Sequence, residues 1–352
     1  MPYINGIGLI SPQHTAENRG FPTEIADYTA DYLKCIEPVY RNYIDPIQLR
    51  RMSRLIRMGI SAAKIGLQDA GLAMPDAIIT GTGLGSVEDT EKILADISRQ
   101  EQFLNPALFI QSTYNTISSQ IAIQLKCHNY NSTYVHRTFS LESGLIDGLM
   151  QLQEGTAENI LVGGIDEMTI NHLLMTRRIG LWKMNPVNNL KLLEVKSNGA
   201  LAGEGAAYFV IGNNPSPSTY ARLSDVSTHI HLNDRFDLRQ ALESFLHNNA
   251  LGAADIDLLL LGINGDVQYD PLYHAFAKEY FPGTATAWYK HLCGEYHTAS
   301  GFGLYLASNI LKNQIIPEIV KLAGPTLKTI RNLLIYNQFR NVNHAFILVQ
   351  TA

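Results

Sequence analysis

The sequence predicts an α/β protein built from two similar βα halves. Short apolar runs alternate with longer stretches in which apolar residues recur at helical spacing, as expected for strands and helices that alternate along a chain. The alternation restarts after a stretch rich in Asn, Pro and Ser at residues 213–218. We therefore predict an N-terminal half over residues 1–212 and a C-terminal half over residues 219–352.

The first half supplies most of the predicted elements. Its strands are short apolar runs bounded by turn residues, at 4–10, 77–80, 133–137, 160–162 and 206–211. Its helices carry apolar residues at helical spacing, at 47–70, 87–97, 115–125 and 143–153. Gly71 is the expected stop of the first helix, and Ser86 is the expected N-cap of the second.

Two stretches in different halves repeat the same pattern. Residues 68–81 and 247–262 each read as a helix end, a turn containing an Ala-Asp or Pro-Asp pair, and a buried strand that ends in glycine. Each strand is followed by a loop and an acidic helix, at 87–97 and at 271–280. The repeat predicts an internally duplicated βα lobe, which packs as sheets enclosed by helices.

Composition excludes several function classes. The formal net charge is −5 and no basic tract appears, which disfavours nucleic-acid binding. The longest apolar runs, such as 258–261, are far shorter than the roughly 20 residues that span a bilayer, and the first residues do not resemble a signal peptide. Cys35, Cys127 and Cys293 stand far apart, which predicts no disulfide, no metal site and a reducing cytoplasm.

No cofactor is predicted either. Residues 81–85 read Gly-Thr-Gly-Leu-Gly, which superficially suggests a dinucleotide loop. The full spacing of that motif is missing, as is the acidic residue at the end of the next strand, so a tight turn between strand and helix explains the glycines better.

Six segments, taken in order, resemble the β-ketoacyl synthase family of thiolase-fold condensing enzymes. They are an opening strand at 3–12, a first long helix at 50–72, a glycine-paired strand at 155–169, a Gly-Glu-Gly-Ala strand at 201–207, a Lys-to-Gly stretch at 290–301 and a final strand at 344–349. The resemblance implies a five-layer αβαβα fold, pairing of two subunits across a strand edge, and substrates carried on acyl carrier protein.

The family's nucleophilic cysteine has no counterpart in this chain. Counting back from Gly163-Gly164 without gaps places Thr138 at its position, and a shift of two residues brings Ser140 there. A cysteine at a helix N-terminus reacts as a thiolate, whereas a Thr or Ser hydroxyl is a weak nucleophile unless a base activates it.

Both family histidines are also replaced. Asn264 stands at the first position, and its amide cannot act as an acid or base. Glu295 stands at the second, with His297 two residues later, and we expect a carboxylate there to repel an enolate. The glycine-rich loop before the last strand is replaced by residues 336–343, whose bulky side chains are expected to crowd the family's acyl channel.

This pattern is similar to the chain-length-factor subunits of type II polyketide and aryl-polyene systems, so the resemblance implies a non-catalytic subunit. Its partner would be a cysteine-bearing ketosynthase or, in a homodimer, a second copy. Candidate substrate-tunnel residues lie in the segment 105–115: Leu108, Phe109, Gln111 and Tyr114. Candidate interface residues form the strand before the nucleophile position: Thr133, Tyr134, Val135, His136 and Arg137.

Alternative functions remain open from the sequence. Ser140 with His297 and Glu295 is a conceivable hydrolase triad, although no G-x-S-x-G motif is present. Cys293 is either a displaced nucleophile or a small buried residue, and His297 is either catalytic or a hydrogen-bonded structural residue. An acyltransferase, a β-ketoacyl synthase with an unusual nucleophile, or a homodimeric acyl-binding protein are the competing functions.

Overall fold

The structure is a computed structural model that describes residues 2–17, 20–99, 104–232 and 235–352. Its strands are β1 (Tyr3–Ile10), β2 (Thr29–Ala30), β3 (Tyr32–Leu33), β4 (Ala77–Gly81), β5 (Tyr130–Tyr134), β6 (Asn159–Asp166), β7 (Val187–Asn188), β8 (Ala202–Gly203), β9 (Gly205–Gly212), β10 (Ala221–Ile230), β11 (Leu258–Leu261), β12 (Ala285–Trp288), β13 (Lys321–Ala323), β14 (Asn332–Phe339) and β15 (Asn343–Gln350). Its helices are α1 (Pro46–Leu49), α2 (Arg54–Ala70), α3 (Val87–Ser98), α4 (Pro106–Gln111), α5 (Thr116–Leu125), α6 (Ser140–Glu154), α7 (Ile170–Arg177), α8 (Arg235–Asn248), α9 (Asp270–Tyr280), α10 (Lys290–Cys293) and α11 (Ser300–Asn313).

The two halves arrange their strands in the same order. The N-terminal half has the order β5-β4-β6-β9-β1, and the C-terminal half has β12-β11-β14-β15-β10 with β13 added at its outer edge. In each half one strand, β9 or β15, runs antiparallel to both of its neighbours. A short pairing of Tyr3 with Arg222 and Ile4 with Ala221 joins the halves. The α/β class with two similar βα halves is confirmed, while the boundary at residues 213–218 stays a prediction.

Five layers result from strands that are buried on both faces. In β4, Ile78 faces an outer cluster with α2 and α5, and Ile79 faces an inner cluster with α6 and α11. In β11, Leu260 belongs to the same inner cluster, and Leu261 faces an outer cluster with α8 and α9. The helices α6 and α11 therefore form a central layer between the two sets of strands, as a five-layer αβαβα fold requires.

The predicted helix over residues 47–70 is two helices, because the chain breaks between α1 and α2. The side chain of Gln111 holds the break open: its Oε1 accepts a hydrogen bond from Ser53 N at 3.1 Å, and its Nε2 donates to Arg51 O at 2.7 Å. Gly71 ends α2 in a left-handed conformation with φ 68°, as predicted.

The predicted strand over residues 133–137 was misplaced. The strand β5 covers Tyr130–Tyr134, since those residues pair in parallel with β4. The chain then turns through Val135 and His136 and a single 3-10 turn at Arg137–Phe139, and α6 begins at Ser140 rather than at residue 143. No helix in the described ranges is long and apolar enough to cross a membrane.

Candidate functional site

The position of the family nucleophile lies where β5 leads into α6. Thr138 is 5% exposed, and its Oγ1 accepts a hydrogen bond from Asn343 Nδ2 at 2.6 Å. Because an amide N–H only donates, this contact cannot remove the hydroxyl proton. No histidine, carboxylate or lysine within the described ranges forms a hydrogen bond with Thr138.

The hydroxyl of Ser140 is committed to the backbone. It accepts from His136 N at 2.9 Å and lies 2.9 Å from Thr82 O and 2.8 Å from Arg137 O, the two carbonyls to which it can donate. These bonds fix the turn that enters α6. Within the described part of the chain, the Ser140 hydroxyl forms no hydrogen bond with His297 or Glu295. A triad built on Ser140 is therefore not assembled in this structure.

The surroundings of Cys293 also differ from those of a nucleophilic cysteine. Its side chain is fully buried, and the burial raises the pKa of the thiol well above its ordinary value. The sulfur lies 3.2 Å from Gly294 O, an acceptor that favours the protonated thiol.

The positions of the two family histidines form one buried polar network. Asn264 Nδ2 donates to Glu295 Oε2 at 2.7 Å, and Lys290 Nζ lies 2.5 Å from the same oxygen. Lys290 also donates to Asn337 Oδ1 at 2.7 Å. The expectation of a repelling carboxylate at Glu295 needs correction, because the Lys290 ammonium balances its charge. These side chains satisfy one another's hydrogen-bonding groups.

Asp166 organises the loops beside this network. Its carboxylate accepts hydrogen bonds from Gly83 N at 2.7 Å and from Thr298 N at 2.9 Å, and also from the hydroxyls of Thr82 and Thr298. Burial raises the pKa of the Asp166 carboxyl to about 6 against these donors. The glycine-rich loop at residues 81–85 thus serves as a turn held by Asp166, and Asp166 itself was not among the predicted site residues.

A cavity of 280 Å³ opens beside these loops, between residues of both halves. It is lined by Leu84, Arg137, Asp166, Glu167, Met168, His172, Thr176, Ile179, Leu181, Trp182, Glu295, Tyr296, His297, Phe339 and Arg340. Only Arg137, Glu295 and His297 were named from the sequence as site candidates. Five of the other twelve come from α7 and the turn after it, a segment in which the sequence analysis found no chemical motif.

His297 borders this cavity. A Cβ on Gly83 would lie 2.3 Å from the His297 ring, so the glycine is needed for the ring to fit. Burial lowers the pKa of the His297 imidazole to about 4, although the nearby Glu295 carboxylate opposes the shift. The ring is therefore neutral at pH 7 and carries one N–H donor.

Of the bulky residues that replace the glycine-rich loop, only Phe339 and Arg340 line the cavity. Tyr336 belongs to the outer cluster with α9, and Asn337 bonds Lys290. Of the side chains that were expected to crowd the acyl channel, these two are the ones that border the cavity.

The predicted tunnel residues divide into two groups. Phe109 and Tyr114 are 65% and 48% exposed, and Leu108 is half-buried. Gln111 instead uses its amide within the chain to hold the break before α2, which is a structural role.

Of the predicted interface residues, Thr133 and Tyr134 lie in β5, the edge strand of its half, and the other three follow it in the turn toward α6. Tyr134 packs against the inner cluster, whereas Val135 is 42% exposed. His136 stacks on Phe139 with ring centroids 5.3 Å apart, and Arg137 is exposed. Thr133 is half-buried. No group of His, Cys, Asp or Glu side chains among the described residues is arranged to hold a metal ion.

Comparisons with known proteins identify the family of this chain. The family model for the β-ketoacyl synthase N-terminal domain matches residues 14–214. A search of curated proteins finds no matching sequence.

Several solved structures are similar over the whole chain. The ishigamide ketosynthase/chain length factor has a TM-score of 0.84 at 17% identity, covering 100% of this chain and 99% of that one. AntDE:AntF, a type II PKS acyl-carrier protein in complex with its ketosynthase bound to the hexaketide, has a TM-score of 0.79 at 12% identity, with 100% and 99% coverage. The ketosynthase ApeO in complex with its chain length factor ApeC, from Xenorhabdus doucetiae, has a TM-score of 0.73 at 14% identity, with 100% and 98% coverage. At these identities the similarity shows the thiolase fold.

Proposed function

This chain belongs to the β-ketoacyl synthase family, and we propose that it is a non-catalytic subunit of the chain-length-factor type. It would support chain extension on acyl carrier protein, in a fatty-acid-like or polyketide pathway that includes the aryl-polyene type. Its partner would be a cysteine-bearing ketosynthase, and the pair would work in the cytoplasm.

One feature supports this proposal: the fold is kept, while none of the three positions that family spacing assigns to catalysis holds a cysteine or a histidine. Thr138 accepts a hydrogen bond from an amide, and Asn264 donates to Glu295, which is also paired with Lys290. Decarboxylative condensation needs a thiolate and two donors that stabilise an enolate, and losing any one of such cooperating groups removes most of the rate.

A second observation favours a partner subunit over an isolated protein. The edge of β5 is open, and exposed apolar side chains stand beside it, including Tyr130 at 47% and Val135 at 42%. An open strand edge of this kind pairs with another chain or aggregates. Obligate pairs of this kind bury more than about 2,000 Å² in total. Similar structures include ketosynthases with chain length factors and a ketosynthase with its acyl-carrier protein, which supports the same partners here.

The competing enzymatic functions have less support. Ser140 is bonded to backbone groups on three sides, and the Cys293 thiol is buried without a base. A homodimeric acyl-binding protein remains the second candidate, because the same β5 edge can pair with a second copy of the chain.

The test compares three preparations with malonyl and acyl groups loaded on acyl carrier protein: this chain, a ketosynthase encoded beside it, and the two co-expressed and purified on one tag. We expect condensation products of defined length from the pair and none from this chain alone. Turnover by this chain alone that disappears in Thr138→Ala or Ser140→Ala would overturn the proposal.

A further inference from the structure

We propose that Glu142, Ser300 and Tyr289 form an internal water-binding site in the central layer, at which a bound water molecule joins the two halves of the fold. Glu142 lies on α6 of the N-terminal half, Ser300 begins α11, and Tyr289 lies between β12 and α10. None of the three residues lines the 280 Å³ cavity, and the site does not rest on the proposed function.

The polar side-chain atoms of these three residues lack a protein partner. All three residues are fully buried. Neither carboxyl oxygen of Glu142, nor the hydroxyl of Ser300 or of Tyr289, forms a hydrogen bond with another described residue. Leaving a buried polar group without a partner costs free energy, and native proteins satisfy nearly all such groups with other protein groups or with ordered water. These four oxygens in one layer therefore point to a bound molecule.

The helices α6 and α11 bring Glu142 and Ser300 together. A Cβ on Gly301 would lie 3.3 Å from the side chain of Leu141, so the two helices touch at these residues. Glu142 follows Leu141 in the chain, and Ser300 precedes Gly301. Burial raises the pKa of the Glu142 carboxyl to about 7, and the Ser300 hydroxyl opposes that shift, as a donor close to a carboxyl does. The two side chains therefore approach each other without a direct hydrogen bond.

Tyr289 packs on the same face of α11. A Cβ on Gly303 would lie 3.1 Å from the Tyr289 ring, so the ring rests against the helix at that glycine. Gly303 comes three residues after Ser300, and residues three apart lie on one face of a helix. Burial raises the pKa of Tyr289 well above its ordinary value, and the Glu142 carboxyl is among the negative groups that add to the shift. Tyr289 therefore lies near both other members of the site.

The charges around the site favour a neutral ligand. The Lys290 ammonium is close enough to lower the pKa of Glu142 against the effect of burial, and it is already paired with Glu295. A cation would lie close to that ammonium, and an anion would lie close to the carboxyls of Glu142 and Glu295, so both are disfavoured. A buried water typically makes about three hydrogen bonds, which matches one each with Glu142, Ser300 and Tyr289. The ligand class is therefore water.

The first test is a high-resolution crystal structure of the full-length protein. We expect a solvent peak about 2.8 Å from a carboxyl oxygen of Glu142 and from the hydroxyls of Ser300 and Tyr289, the usual distance between hydrogen-bonded oxygens. A direct hydrogen bond between Glu142 and either hydroxyl with no solvent between them, or a metal ion at the peak, would overturn the proposal.

Magnetic relaxation dispersion of the solvent tests the site in solution, because it counts water molecules that stay inside a protein. Glu142→Leu should lose the signal of one such water, since the apolar side chain removes the oxygens that hold it. Glu142→Gln should keep the signal, because the amide can still donate to and accept from water.

Ser308→Ala is the matched control. Ser308 is fully buried on α11 like Ser300, but its hydroxyl donates to Leu304 O at 2.7 Å within the helix. Its loss should leave the water signal unchanged. A Glu142→Leu protein with the same water signal as the unmodified protein would contradict the proposal, and if that variant does not fold, the crystal structure of the unmodified protein decides the question by itself.

Discussion

The two halves share a strand order but treat their sheet edges in opposite ways. The C-terminal edge strand β13 has three residues, runs antiparallel to β12, and carries Lys321, whose ammonium lies 2.6 Å from Glu318. The N-terminal edge strand β5 has five residues, runs parallel to β4, and is flanked by the exposed Val135. A short charged edge resists pairing with another chain, whereas a longer edge beside apolar side chains favours it.

The surface follows the same division. Most of the exposed large apolar side chains in the described ranges belong to the N-terminal half, and those of the C-terminal half are Ile230, Val267, Ile315 and Val342. The two halves share a fold, but the edge strand β13 is short and charged, whereas the edge strand β5 is suited to pairing with a partner. This difference indicates which face of the molecule an assembly would cover.

The largest effect is expected from a charge at the open edge. Val135→Asp should convert an assembled protein to a folded monomer, because an unpaired carboxylate in a closed interface is strongly destabilising. Ala323→Asp places the same charge on β13, where Ala323 is exposed, and should leave the assembly unchanged. Light scattering coupled to size exclusion gives both masses, and equal behaviour of the two variants would remove the distinction between the edges.

Each half also contains a buried ion pair: Arg54 with Glu204 in the N-terminal half, and Lys290 with Glu295 in the C-terminal half. In the N-terminal half, Glu204 is fully buried, accepts two hydrogen bonds from Arg54 and one each from Cys35 N and Met168 N. Glu204→Leu should lower the free energy of unfolding by about 3 kcal/mol, since two buried backbone donors lose their acceptor and Arg54 keeps only its partly exposed partner Glu37.

The double variant Arg54→Met with Glu204→Leu should recover part of that loss, because the partly buried Arg54 cation is removed and the carboxylate that loses its partner, Glu37, is 32% exposed to solvent. Urea unfolding of the single and double variants measures this. A single variant as stable as the unmodified protein would show that the pair is not needed to hold the loops at Cys35 and Met168.

Particular residues show what the sequence could predict. The βα alternation and the repeat ending at Gly81 and Gly262 predicted the two halves, because buried strands need apolar runs and their ends need glycines. The strand before α6 was misplaced because Tyr130 and Asn131 are polar enough to resemble a loop, and the pairing with β4 decides its position.

The site was less predictable than the fold. Family spacing gave Thr138, Asn264 and Glu295, but the neutralising contact of Lys290 with Glu295 depends on how α10 is packed.

A buried carboxyl on α6 predicts how the stability of the protein depends on pH. Glu142 on α6 is fully buried, and the burial raises its pKa to about 7, although Ser300 and Lys290 oppose the shift. A carboxyl whose pKa is raised in the folded state stabilises the protein at low pH, and this contribution is lost as the pH rises through that pKa.

Between pH 5 and 8 the unmodified protein should therefore lose on the order of 2 kcal/mol of unfolding free energy through Glu142. Glu142→Gln should show a smaller loss over the same range, with the remainder due to other buried carboxyls such as Glu167 and Asp270. Urea unfolding at pH 5, 6, 7 and 8 makes the comparison, and parallel curves for both proteins would mean that Glu142 does not titrate in this range.

The smallest effect is expected at the nucleophile position. Thr138→Cys should fold like the unmodified protein, react slowly with iodoacetamide because the site is 5% exposed, and produce no condensation product. Mass spectrometry detects the alkylation. Condensation by this variant would show that Asn264 and Glu295 can replace two histidines.

The most direct test of the proposed pairing is hydrogen exchange at the edge strands. In the assembled protein, all backbone amides of residues 130–134 should exchange slowly. In the Val135→Asp monomer, the amides of β5 that point away from β4 should exchange quickly. Peptides covering residues 321–323 should exchange alike in both proteins, because the β13 edge is not covered. Fast exchange at residues 130–134 in a well-folded unmodified protein, whether with or without a ketosynthase partner, would contradict the account.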